Sequence, residues 1–74
     1  MTGQEFLDWL VQNHQCETTP ITGRNITGFS IRIICKKTGR SYYFSGPFGH
    51  QKIPTMVIKD VCDELWISYP PSVQ

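Results

Sequence analysis

Five residues in the middle of the chain combine the two side-chain types that bind a polyanion. Arg32, Lys36, Lys37 and Arg40 are cationic at neutral pH, and Tyr43 places an aromatic ring within the same stretch. Guanidinium and ammonium groups neutralise phosphates, and an exposed ring stacks on a base. The same cations also suit an ordinary solvated hairpin, where they keep edge strands from pairing with other chains. The net charge of +1 hides a segregation. All 7 Lys and Arg lie between Arg24 and Lys59, and the 6 acids flank that stretch: Glu5, Asp8 and Glu17 before it, Asp60, Asp63 and Glu64 after it. No carboxylate occurs from Thr18 to Lys59. Such asymmetry fits a polyanionic partner, and it equally fits basic and acidic elements that neutralise one another across the fold.

Other reactive side chains form no constellation. Gln15 separates His14 from Cys16, but no second pair at zinc-like spacing follows, so no metal site is expected. His50, in a Gly/Pro turn near Lys52, is the best general acid/base candidate, since histidine titrates near neutral pH. No nucleophile and oxyanion stabiliser accompany it, so a non-catalytic protein without a cofactor is the preferred reading. Gly46-Pro47-Phe48-Gly49 matches no phosphate-binding fingerprint. Phe48 at its tip is either a core plug or an exposed anchor. The 3 cysteines, Cys16, Cys35 and Cys62, are odd in number and far apart, which argues for reduced thiols, with Cys35 and Cys62 in the core.

The elements that position these residues follow from hydrophobic period and turn chemistry. Thr2 and Glu5 have the spacing of a capping box, and Phe6, Trp9, Leu10 and Asn13 share one helical stripe that Leu7 and Val11 widen. A helix is expected over Gly3–His14. Residues 15–28 are polar and read as a loop, or as a short strand near Ile21. Phe29, Ile31, Ile33 and Cys35 alternate with Ser30, Arg32, Ile34 and Lys36, which is a strand pattern. With Thr38 and Gly39 as a two-residue turn, Cys35 faces Tyr42 and Ile33 faces Phe44 on the returning strand. Phe29, Ile31, Ile33, Cys35, Tyr42 and Phe44 then share the core face, and Arg32, Ile34, Lys36, Ser41 and Tyr43 the other. Residues 51–53 read as a short third strand. Pro54-Thr55 opens a second helix with Thr55 as its cap, and Val57 or Ile58, with Val61, Cys62, Leu65 and Trp66, form its stripe. A rival reading makes residues 52–58 a strand, because Val57 and Ile58 are β-branched.

The expected class is therefore α+β: a small antiparallel sheet of two or three strands, with an N-terminal and a C-terminal helix on one face. Residues 1–74 form one small domain, and residues 69–74, opening on Tyr69-Pro70-Pro71, read as a flexible tail. No basic and apolar leader and no apolar run of membrane-spanning length occurs, so a cytoplasmic protein without a membrane partner is expected. On that reading the Asn25-Ile26-Thr27 sequon is chance.

Thr38-Gly39-Arg40-Ser41-Tyr42-Tyr43-Phe44, followed by Lys52-Ile53-Pro54 and an apolar helix, resembles the HicA-type mRNA interferase toxins over the second half of the chain. Members of that family are small α-β-β-β-α proteins, similar to a double-stranded-RNA-binding domain, that carry Gly-Ser-His on a strand. Tyr42 stands where the family has its catalytic histidine, and residues 15–28 exceed the family's usual loop. The resemblance implies an RNA-binding or partner-binding scaffold without the nuclease. The leading expectation is a small non-catalytic nucleic-acid-binding domain, RNA before DNA, whose basic hairpin presents Arg32, Lys36, Lys37, Arg40 and Tyr43. The alternative is a protein-interaction module or homodimer that uses Ile34, Tyr43 and Phe48 or a strand edge.

Overall fold

The computed structural model describes residues 1–21 and 30–73. Helix α1 spans Gly3–His14, strands β1, β2 and β3 span Cys16–Ile21, Ser30–Cys35 and Arg40–Phe44, and helix α2 spans Thr55–Leu65. The strands form one antiparallel sheet in the order β1-β2-β3. The protein is α+β, as its periodicities require. Arg24, the sequon and Phe29 lie outside the described residues.

Helix α1 begins where the capping box places it. The Thr2 hydroxyl accepts from the Glu5 amide at 3.2 Å, and the Glu5 carboxylate accepts from the Thr2 amide at 2.8 Å. These bonds hold the Glu5 carboxyl below its ordinary value. Loop carbonyls satisfy the remaining free amides of the first turn: Gly3 donates to Gln51 at 2.9 Å and Gln4 to Gly49 at 3.0 Å. Residues 51–53 thus serve the helix start instead of forming the third strand, and their one ladder contact is a bridge between Thr2 and Lys52.

The third strand is β1, within a stretch read mainly as loop. Its residues pair with β2 from Cys16 opposite Cys35 to Ile21 opposite Ser30. An edge strand packed on one face needs few apolar residues, and Pro20 is tolerated where its missing donor faces away from the sheet.

The β2–β3 turn holds four residues, 36–39, rather than two. The Gly39 amide bonds the Cys35 carbonyl at 2.9 Å, and Gly39 takes a φ of +73°, which suits glycine. The Thr38 hydroxyl, which donates to the Leu65 carbonyl at 2.8 Å, ties the turn to α2. Cys35 therefore opposes Arg40, Ile33 opposes Tyr42 and Ile31 opposes Phe44, a register two residues from the expected one. A shift of two leaves every strand side chain on its expected face. Lys36 leaves the strand for the turn.

One sheet face carries the core. Phe6, Leu7 and Leu10 of α1, Ile58, Val61, Cys62 and Leu65 of α2, and Cys16, Ile33, Cys35 and Phe44 of the sheet form a single buried cluster. The Phe6 and Phe44 rings meet edge-on at 6.2 Å, and Phe48 plugs the cluster edge-on to Phe44 at 5.4 Å. Residues 52–58 do not form a strand, because α2 begins within them. Pro54 holds its cap position, no side chain caps it, and Thr55 is its first residue. Trp66 leaves the stripe expected of it and ends the helix in a left-handed conformation with φ 59°. Beyond it Pro70 is fully buried, and Pro71–Val73 form a 3-10 turn.

Candidate nucleic-acid interface

The face of the sheet that neither helix covers carries Glu17 and Thr19 from β1, Ser30, Arg32 and Ile34 from β2, and Ser41 and Tyr43 from β3. Alternation along the strands puts them there: their neighbours Cys16, Ile33, Cys35 and Phe44 are buried beneath the helices. Arg32 and Tyr43 are directly opposed across β2 and β3. Arg32 is exposed and has no ion pair among the described residues, and Tyr43 keeps 61% of its surface in solvent. Both residues stand on this exposed face with the half-buried Ile34.

Structure divides the five sequence-derived candidates. Arg32 and Tyr43 share the open face. Lys36, in the turn, reaches Glu17 at 3.0 Å, and Glu17 stands on that face opposite Ile34. Both side chains of the pair are more than half exposed, so it is worth under about 1 kcal/mol and is cheap for a phosphate to displace. Lys37 is exposed in the same turn. Burial, and then the charge of Lys37, holds His14 below its ordinary value.

Arg40 is drawn to the other side. It opposes Cys35, so its side chain leaves the sheet on the helix face. Its Nε donates to the Glu64 carbonyl at 3.2 Å, its guanidinium stands 3.8 Å from the Glu64 carboxylate, and it lies 4.5 Å over the Trp66 ring. Three interactions converging on one side chain join β3 to the end of α2. The stack rests on an exposed Trp66, 66% in solvent, whose left-handed backbone caps α2. Sequence reasoning missed Trp66 and Glu64 as partners of Arg40, because the contact spans 24 residues. Only the excess of acids on the wet side of α2 hinted at it.

The remaining reactive groups do not assemble. Among the described residues no group of three His, Cys, Asp or Glu side chains can hold a metal ion. His50 is exposed. His14 packs edge-on against Trp9 at 4.7 Å. Cys16, Cys35 and Cys62 are free and buried. Burial and then the neighbouring Cys35 push the Cys16 thiol up to about 12, and burial and then Asp63 push Cys62 to about 12. Burial also acts to raise Cys35, but hydrogen bonds from Thr38, Lys37 and Cys16 outweigh it, and its thiol titrates lower than usual. No described helix is long and apolar enough to cross a membrane. No family model matches the chain, and no curated protein or solved structure matches it.

Proposed function

We propose that the protein is a small non-catalytic nucleic-acid-binding domain, for RNA before DNA, whose contact surface is the open sheet face. The observation that carries this reading is the Arg32–Tyr43 pair, a cation beside an exposed ring on a face that no other element covers among the described residues. Tyr43 stacks on an unpaired base, Arg32 bonds the adjoining phosphate, and Lys36 and Lys37 neutralise phosphates along the turn. An exposed ring serves single strands, whose bases are free to stack, better than a closed duplex. The resemblance of Thr38-Gly39-Arg40-Ser41-Tyr42-Tyr43-Phe44 to the interferase scaffold also favours RNA. Tyr42 in place of the catalytic histidine supports binding without cleavage.

Three phosphate contacts, from Arg32, Lys36 and Lys37, give a logarithmic salt slope of about −2 on a single strand. Fluorescence anisotropy with a labelled single-stranded RNA at several salt concentrations measures it. A slope near zero removes the electrostatic basis of the reading.

One observation favours the second reading, that of a partner-binding module. Strand β3 is an edge strand with no further strand beside it among the described residues.

A further inference from the structure

We infer that the free edge of β3 is a docking site for an extended, basic peptide segment that adds to the sheet as a fourth strand. The inference develops the partner-binding reading and does not depend on the nucleic-acid one.

The backbone directions come first. In an antiparallel sheet both polar groups of a residue point toward the same neighbour, and direction alternates along the strand. The Cys35 carbonyl accepts from Gly39, so Cys35 faces β3, and so do Ile33 and Ile31. Their partners Tyr42 and Phe44 face back toward β2. Ser41 and Tyr43, between them, turn their amides and carbonyls outward, and none of these four groups has a backbone partner among the described residues. That is the hydrogen-bonding template that strand addition uses.

The edge is also a groove. A cavity of about 650 Å³ runs between β3 and α2, lined by Ser41, Tyr42, Tyr43, Asp60, Asp63 and Glu64. Ser41 and Tyr43, whose backbone groups turn outward, are both among its lining residues. Its far wall is acidic, because Asp60, Asp63 and Glu64 fall at helical spacing on one face of α2. Glu64 is engaged by Arg40, and Asp63 accepts the Tyr69 hydroxyl at 2.7 Å. Asp60 has no ion pair among the described residues.

Charge selects the occupant. Two copies joined edge to edge through β3 would bring their α2 helices together on one side of the sheet, carboxylates against carboxylates. A strand with Lys or Arg at alternate positions meets the same wall with opposite charge, while its backbone pairs with Ser41 and Tyr43. The partner is therefore a basic extended segment of another protein.

The probe is a capped eight-residue peptide of alternating Lys and Thr, titrated into the labelled domain while amide shifts are followed. Shifts at Ser41 and Tyr43 together with Asp60 are expected, and a Glu–Thr peptide is expected to cause none. Ser41→Pro removes an outward donor without touching the β2–β3 ladder, and Asp60→Lys reverses the wall. Each is expected to weaken binding about tenfold, the effect of one hydrogen bond or charge contact. A Lys–Pro peptide that binds as well as Lys–Thr overturns strand addition, because proline cannot donate to the edge. Unshifted Ser41 and Tyr43 at millimolar peptide overturn it as well. Sedimentation separates the readings: a dimer whose formation Ser41→Pro prevents overturns the peptide proposal and keeps the partner-binding reading.

Discussion

Arg32 and Tyr43 stand opposite each other on β2 and β3, on the one sheet face left open by both helices. Arg40, three residues before Tyr43, stands on the other face, bound to Glu64 and stacked on Trp66. Cations of one hairpin thus have two separate roles. Arg32 faces solvent, and Arg40 holds β3 to α2.

Substitutions on the open face test the first role. Tyr43→Ala removes a stacking contact worth about 1–3 kcal/mol and is expected to weaken RNA binding roughly tenfold or more. Arg32→Glu is expected to weaken it comparably and to reduce the salt slope by about 0.7. Neither side chain is buried, so thermal unfolding is expected to stay close to that of the parent, which circular dichroism checks.

Arg40→Ala tests the second role. Loss of its carbonyl bond, its ion pair and its stack on Trp66 is expected to cost about 1–2 kcal/mol in urea unfolding. RNA affinity is expected to change by less than about twofold, because the lost side chain lies across the sheet from the open face.

Gly3→Ala probes the start of α1. An added methyl there collides with the Pro47 carbonyl, so a change that ordinarily favours a helix is expected to destabilise this protein by about 1–3 kcal/mol. The opposite holds at the other end of the helix. Gln15 carries a left-handed φ of 54°, and Gln15→Gly is expected to raise stability by about 1 kcal/mol.

Two of the three buried thiols, Cys16 and Cys62, set an alkaline limit that the lowered Cys35 thiol partly offsets. Cys16 and Cys62 titrate near 12 in the folded protein and near 8.5 in an unfolded chain. Raised folded values mean that their contribution is complete below about pH 8.5 and is lost as pH rises toward 12. Unfolding midpoints in urea are expected to fall steadily across that window. A thiol reagent at pH 8 is expected to leave both cysteines unmodified until denaturant is added.

Much of this architecture is legible in the sequence because its determinants are local. The Thr2–Glu5 box acts across three residues, and the alternation from Ser30 to Cys35 needs only its own strand. The features not legible there are fixed by distant partners. The four-residue turn is held by Thr38 on the Leu65 carbonyl, 27 residues away, which displaces the register by two. Strand β1 is largely polar because it is an edge strand with one packed side, so its composition resembles a loop. The candidate site was legible in part for the same reason. Strand parity places Arg32 and Tyr43 on one face for a turn of two residues or of four, whereas the side taken by Arg40 depends on where β3 begins and on what α2 offers it.

The most direct test is an amide-shift titration of the labelled domain with a mixed-sequence single-stranded RNA at low and then moderate salt. The expected result is a set of salt-sensitive shifts at Arg32, Ile34, Lys36 and Tyr43, with Arg40 and Trp66 nearly unmoved. An absence of shifts at low salt, or shifts confined to Arg40 and α2, contradicts the assignment of the open sheet face as the nucleic-acid surface.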